Sequence, residues 1–170
     1  MKKGFTLIEL LIVIGIIAIL ATVVVLVLNP AQILAQARDS QRISDLSSVK
    51  SAVSLYLSTA TNPIIYATTT ITVAGVACPF ASCSAITYTS STVVTGAGWV
   101  PIDFTKTSGG SPLAALPSDP STNPYAYMGN STNKTFKVEG QLESTKYSPM
   151  MTADGGNQAG WYEVGTDLSL

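Results

Sequence analysis

The chain contains no histidine and only two cysteines among its 170 residues. Without an imidazole, a Ser-His-Asp triad, a His-paired cysteine nucleophile and a His-bearing zinc site are all excluded. No glycine-rich phosphate loop follows a strand-like segment, and Gly109-Gly110 and Gly155-Gly156 read as turns. Charge is scarce as well: 11% of residues are charged, and none from Ser51 to Ile102, a stretch dense in Thr, Ser, Ala and Val. No basic patch exists to attract nucleic acid. The carboxylates Glu139 and Glu143 read as outward-facing solvated acids rather than an acid–base pair. The inventory points away from an enzyme.

What the chain does have is an apolar run from Phe5 to Leu28 broken by one charge, Glu9. An acid inside a bilayer costs a few kcal/mol or more and is read as functional until a partner or purpose is excluded. Met1-Lys2-Lys3-Gly4 precedes the run, and cleavage after Gly4 would place a new α-amine on Phe5, four residues from Glu9. A secretory signal peptide has a shorter apolar region and a small-residue cleavage site, and Ala18 and Ala21 do not form one. A plain membrane anchor fits the length but has no use for Gly4 or Glu9. Lys2 and Lys3 place the N-terminus in the cytoplasm and everything after Leu28 outside.

Gly4-Phe5-Thr6-Leu7-Ile8-Glu9 followed by this run resembles the N-terminal signature of type IV prepilins and pseudopilins. The resemblance implies cleavage between Gly4 and Phe5 by a membrane prepilin peptidase, N-methylation of Phe5, and pairing of Glu9 with the Phe5 amine of a neighbouring subunit in a helical filament. It also implies a locally melted helix segment in the filament, for which Gly15 and Pro30 are the candidate helix breaks. Pro30 lacks an N–H, and Asn29 is placed to cap a new helix start.

Beyond Pro30 the run becomes amphipathic. Ile43, Leu46, Val49, Val53 and Leu57 recur at spacings of three and four, one buried helical face. Arg38, Asp39, Arg42, Asp45 and Lys50 lie among them, with i,i+3 charge pairs on a side taken to face water. A continuous stalk from Phe5 to Ser58 would be roughly 80 Å long at 1.5 Å per residue.

The remainder reads as a β-rich head. Ile71–Val76, Ala85–Val94 and Trp99–Phe104 are strand candidates, and Tyr125–Met128 with Thr135–Leu142 is a clearer pair. Phe136, Val138 and Leu142 would face the helix, with Lys137 and Glu139 outward. Cys78 and Cys83, outside the C-x-x-C pattern, form either a disulfide clamping a tight turn or a pair of buried thiols, and an extracytoplasmic location favours the disulfide. The neutral Ser51–Ile102 block is either a set of ordinary Thr-rich strands or a surface suited to close packing of identical copies. Asn130-Ser131-Thr132 and Asn133-Lys134-Thr135 match the N-glycosylation pattern, one common by chance.

Asp119-Pro120-Ser121-Thr122-Asn123-Pro124-Tyr125 resembles the Asp-Pro-x-x-Asn-Pro-Tyr segment of major pseudopilins, where the region before the final strands binds calcium. Asp119, Ser121, Asn123 and the carbonyl of Leu116 would be the calcium ligands; a turn built by Pro and Asx residues explains the same letters.

The sequence therefore reads as an α+β, type IV pilin-like chain: leader 1–4, transmembrane and filament-core helix 5–29, amphipathic helix half 30–58, and a globular β-rich head over 59–170 around a small antiparallel sheet. Its expected role is structural subunit of a type IV pilus-like filament. The alternatives are a pseudopilin of a type II secretion-like system, a competence-type DNA-uptake pilin, and a membrane-tethered binding module that never polymerises. Its partners would be identical or related pilin subunits, prepilin peptidase, an inner-membrane assembly platform and assembly ATPase, and the lipid bilayer before assembly. The chain would start in the inner membrane and end in an extracellular or periplasmic filament. No cofactor is required on this reading, with calcium the one candidate.

Overall fold

The computed structural model describes residues 4–80, 83 and 86–170. The chain divides into two compact units, residues 1–35 and 36–170.

The first unit is dominated by α1, Leu7–Leu28. Leucine, isoleucine, valine and alanine fill it, and its described side chains are exposed along the whole length. The window Leu7–Val25 has a mean hydropathy of 3.0 and is long and apolar enough to cross a membrane. The only hydroxyl within it, Thr22, donates to the carbonyl of Ala18 at 2.9 Å and so exposes no unpaired donor. Gly15 lies within the helix, which is continuous there in the single chain. The helix ends at Asn29, which adopts the left-handed conformation with φ 41°. Asparagine is among the few non-glycine residues that take this conformation readily. Pro30 then begins α2, Pro30–Thr59. At a first helical position the missing N–H removes nothing the helix would have used. The Asn29 carbonyl accepts from the Gln32 and Ile33 amides and helps to cap the new start.

The second unit is α+β. Its sheet holds β1 (Thr69–Ile71), β2 (Ile86–Tyr88), β3 (Tyr125–Asn130), β4 (Thr135–Gly140) and β5 (Tyr162–Gly165), in the order β2-β1-β3-β4-β5. Only the β1–β2 pair is parallel. A one-turn helix, α3 (Met150–Ala153), precedes β5. The apolar helix, the second helix and the mostly antiparallel sheet make up the pilin-like α+β order that the sequence implies.

One sheet face, with Tyr125, Tyr127, Phe136 and Val138, joins Leu46, Val49, Ala52, Val53 and Tyr56 of α2 in the main core. On α2 the fully buried positions are Asp39, Arg42, Leu46, Val49 and Val53. Spaced by threes and fours, they form one continuous stripe whose first two members are charged. The charges of this helix are thus not all on a water-facing side: Asp39, Arg42 and Asp45 are buried, while Lys50 is exposed. Two glycines let the sheet approach its cover. A Cβ on Gly129 would come within 2.5 Å of the Tyr66 carbonyl oxygen, and one on Gly140 within 3.3 Å of Leu46 Cδ1 on α2.

The opposite sheet face corrects a second expectation. Lys137 and Glu139 are fully buried rather than outward. Glu139 lies in register between Ala126 and Glu163. Ile71, Ala126 and Phe80 form a smaller core on this side, with Val76, Cys78 and Cys83 packed against it. The Cys78–Cys83 disulfide, with Cα atoms 6.1 Å apart, therefore holds a lid over this face. The Lys137 ammonium sits 5.1 Å from the centre of the Phe80 ring.

Several strand edges also differ. β1 is Thr69–Ile71 rather than Ile71–Val76, and β2 covers Ile86–Tyr88 of the longer segment expected, whose first residue, Ala85, lies outside the described residues. Trp99–Phe104 is not a strand. Trp99, Val100, Ile102 and Phe104 all enter the main core, which a pleated strand with alternating faces would forbid, and Pro101 cannot donate to a ladder. A 3-10 turn, Phe104–Lys106, follows instead.

Candidate functional site

The first candidate site is the start of α1. Thr6 is its N-cap, with an extended backbone, and its Oγ1 accepts from the Glu9 amide at 3.3 Å. Glu9 reaches back in turn: its Oε2 accepts from the Thr6 amide at 3.0 Å and from the Thr6 hydroxyl at 2.8 Å. This reciprocal arrangement is a capping box, and a carboxylate in the first turn also complements the positive end of the helix dipole. The acid that looked anomalous inside an apolar run thus has a local role in the isolated chain. The spacing Thr-x-x-Glu before an apolar run is the signature of that box, and it assigns Thr6 a function the sequence reading did not give it. Gly4 and Phe5 precede the cap in non-helical backbone, and Phe5 is exposed.

The second candidate is the Asp119 loop. Both oxygens of its carboxylate are already engaged. Oδ1 accepts from the Ser121 amide at 2.8 Å, the Ser121 hydroxyl at 3.0 Å and the Asn123 amide at 3.1 Å, an Asx-type turn. Arg42 completes the set: its Nε donates to Asp119 Oδ2 at 2.6 Å and its Nη2 to Oδ1 at 3.2 Å, a bidentate fork. Ser121 Oγ accepts from Nη2 at 2.7 Å. On the other side of the guanidinium, Nη1 donates at 2.8 Å both to Asp39 Oδ1 and to Glu143 Oε1. All five N–H bonds of Arg42 are thereby used, and the side chain is wholly buried.

The network extends outward. Glu143 also takes two bonds from Arg38, at 2.5 and 3.0 Å, so it is paired rather than simply solvated. Asp39 accepts from the amides of Glu143 and Ser144. Asp45 accepts from the Tyr125 hydroxyl at 2.9 Å. Hydrogen bonds from Arg38, and then from Arg42, hold the Glu143 carboxyl down at about 2. Burial alone would raise the Asp119 carboxyl, but the bonds from Arg42 and Ser121 bring it below the usual range. Burial opposes the Arg42 charge, yet its bonds to Asp119, Glu143 and Asp39 raise its pKa further above its ordinary value. The result joins α2 to the loop before β3 and to the segment after β4. The Leu116 amide donates to the Thr92 carbonyl, and the neighbouring Pro117 carbonyl accepts from the Trp99 indole.

The third is the buried charge group on the sheet face opposite α2, beside the Phe80 ring. Lys137 Nζ donates to Glu163 Oε1 at 2.5 Å and to Asn157 Oδ1 at 3.0 Å, and lies 3.6 Å from Glu139 Oε2. One ammonium therefore stands beside two buried carboxyl groups and is hydrogen-bonded to that of Glu163. Burial, together with the charge of Glu163, pushes the Glu139 carboxyl up to about 8 against the opposing charge of Lys137. Among the described residues no group of three or more His, Cys, Asp or Glu is arranged to hold a metal ion.

Comparison of the chain with curated proteins and with solved structures finds no match. Residues 1–25 match the family model of the prokaryotic N-terminal methylation motif, so the chain carries the prepilin-type signature of type IV pilins and pseudopilins.

Proposed function

We propose that this chain is a structural subunit of a type IV pilus-like extracellular filament, processed by prepilin peptidase after Gly4 and polymerised through α1. The observation that carries this reading is α1 itself. It is an all-apolar helix with its described side chains exposed, opening on a capped carboxylate and lying within the methylation motif. Such a helix is stable in lipid, or wherever an equally apolar surface replaces lipid, and a bundle of identical helices provides that surface. Before assembly the subunit is anchored in the inner membrane with Lys2 and Lys3 in the cytoplasm. On cleavage the Phe5 amine becomes available one residue before the Thr6 cap. Glu9 Oε1, the oxygen not used in the box, then pairs with the amine of a neighbouring Phe5 and sets the axial step.

Intact mass of the mature protein is expected to show a chain beginning at N-methylated Phe5, and an intact Met1 would defeat the reading. Two substitutions separate the roles of Glu9. Glu9→Gln keeps a capping side chain but removes the charge, whereas Glu9→Ala removes both. Loss or misregister of filaments in both variants, with membrane insertion retained, supports the ion pair. Normal filaments with Gln would leave Glu9 a cap and nothing more. A pseudopilin role is the second reading, favoured by the Asp119–Tyr127 segment. Electron microscopy of sheared surface material distinguishes a long surface filament from a short periplasmic one.

A further inference from the structure

We propose that the guanidinium of Arg42 fills the place of a divalent cation in the Asp119 loop, so that the head is held together by a built-in cation and does not use calcium. Calcium requires six to eight oxygen ligands at 2.3–2.6 Å, several of them free carboxylate or carbonyl oxygens. The ligands this loop would offer do not fit that demand. Both Asp119 oxygens and Ser121 Oγ are committed to Arg42 at hydrogen-bond distances of 2.6 to 3.2 Å. A cation close enough to coordinate Asp119 would sit against a buried positive charge that already draws on the same oxygens.

The geometry of Arg42 explains how one side chain can stand in for an ion. A divalent cation joins separate chain segments by collecting their oxygens, and a planar fork with five donors does the same in fixed directions. Arg42 collects Asp39 from its own helix, Asp119 and Ser121 from the loop before β3, and Glu143 from the segment after β4. Three carboxylates converge on it from three stretches of chain. Arg38 neutralises part of the remaining negative charge at Glu143. A lysine at position 42 would supply the charge but only three donors, too few for this set.

The converse also follows. Removing the guanidinium leaves Asp39, Asp119, Glu143 and the Ser121 hydroxyl around a vacated space, an oxygen-rich set suited to a hard cation. The test is thermal unfolding of the full chain in detergent, with calcium chloride or with EDTA. The wild-type melting temperature is expected to be the same in both. Arg42→Ala is expected to melt on the order of 10 °C lower, because it strands buried carboxylates, and to recover part of that loss saturably with calcium. A saturable rise of the wild-type melting temperature with calcium, abolished in Asp119→Ala, would overturn the proposal. So would an Arg42→Ala variant that folds but stays blind to calcium. Should that variant not fold, the wild-type comparison still decides the matter, because it needs no substitution.

Discussion

Glu139→Gln is the substitution whose effect can be worked furthest from the structure. The Glu139 side chain is wholly buried beside Glu163, its near neighbour across the strands, with Lys137 Nζ 3.6 Å away and closer to Glu163. Neither Glu139 oxygen has a hydrogen-bond partner among the described residues. Its pKa rises from 4.5 to about 8, first through burial and then through the charges of Glu163 and Asp154, against the pull of Lys137. A carboxyl whose folded pKa lies above its unfolded value contributes stability that is complete below the unfolded value. That contribution is lost as pH rises through the folded one. Wild type should therefore lose ground to the uncharged Gln variant from about pH 4.5 upward, by ~1.4 kcal/mol per pH unit, levelling near pH 8 at on the order of 5 kcal/mol. Urea unfolding of both proteins at pH 5, 6, 7 and 8, followed by the fluorescence of buried Trp99 and Trp161, measures that gap. A gap that stays flat across the series, or narrows with rising pH, would refute the reasoning.

Three further outcomes are expected. Glu143 sits near 2 while paired with Arg38 and Arg42, so its contribution is present above pH 4.5 and lost as pH falls toward 2; an acid titration of Trp fluorescence should show destabilisation there that Glu143→Gln lacks. Replacing Cys78 and Cys83 together by Ser opens a short loop and should lower stability by about 2 kcal/mol in thermal unfolding, without loss of fold. Gly129→Ala would press a methyl group against the Tyr66 carbonyl oxygen and the Tyr127 hydroxyl, and should destabilise by 1–3 kcal/mol or more in the same assay.

How much of this was readable in the sequence depended on the range of the interaction. The β3–β4 hairpin and the stripe Leu46, Val49 and Val53 are local patterns, and both stand close to where the periodicity puts them. The same stripe continues through Arg42 and Asp39 at unbroken spacing, so their burial was written in phase but hidden by their charge. Lys137 and Glu139 were hidden similarly: alternation of polar and apolar letters normally marks a solvated sheet face, and here Phe80 and the loop carrying Asn157 and Gln158 pack on the charged side chains of that face. β5 and α3 were not anticipated, because Tyr162–Gly165 and Met150–Ala153 are too short to establish a period. The partnership of Arg42 with Asp119 joins positions far apart in the chain, and no local pattern announces it. At the N-terminus, by contrast, Thr6 and Glu9 are only three residues apart, and the Thr-x-x-Glu spacing of a capping box stands in the sequence, although the apolar setting of Glu9 pointed to a partner in a neighbouring subunit instead.

The left-handed Asn29 followed by Pro30 has a mechanical consequence. Under tension along the chain, a helix yields first where its hydrogen-bond ladder is interrupted, and here the left-handed Asn29 ends the ladder of α1 while Pro30 has no N–H with which to continue it into α2. Each neighbouring residue drawn from helix to extended chain adds about 2 Å of length. If the chains polymerise as proposed, every subunit would carry an extensible element at this joint, lengthening there while the Cys78–Cys83 disulfide and the Arg42 fork keep the second unit folded.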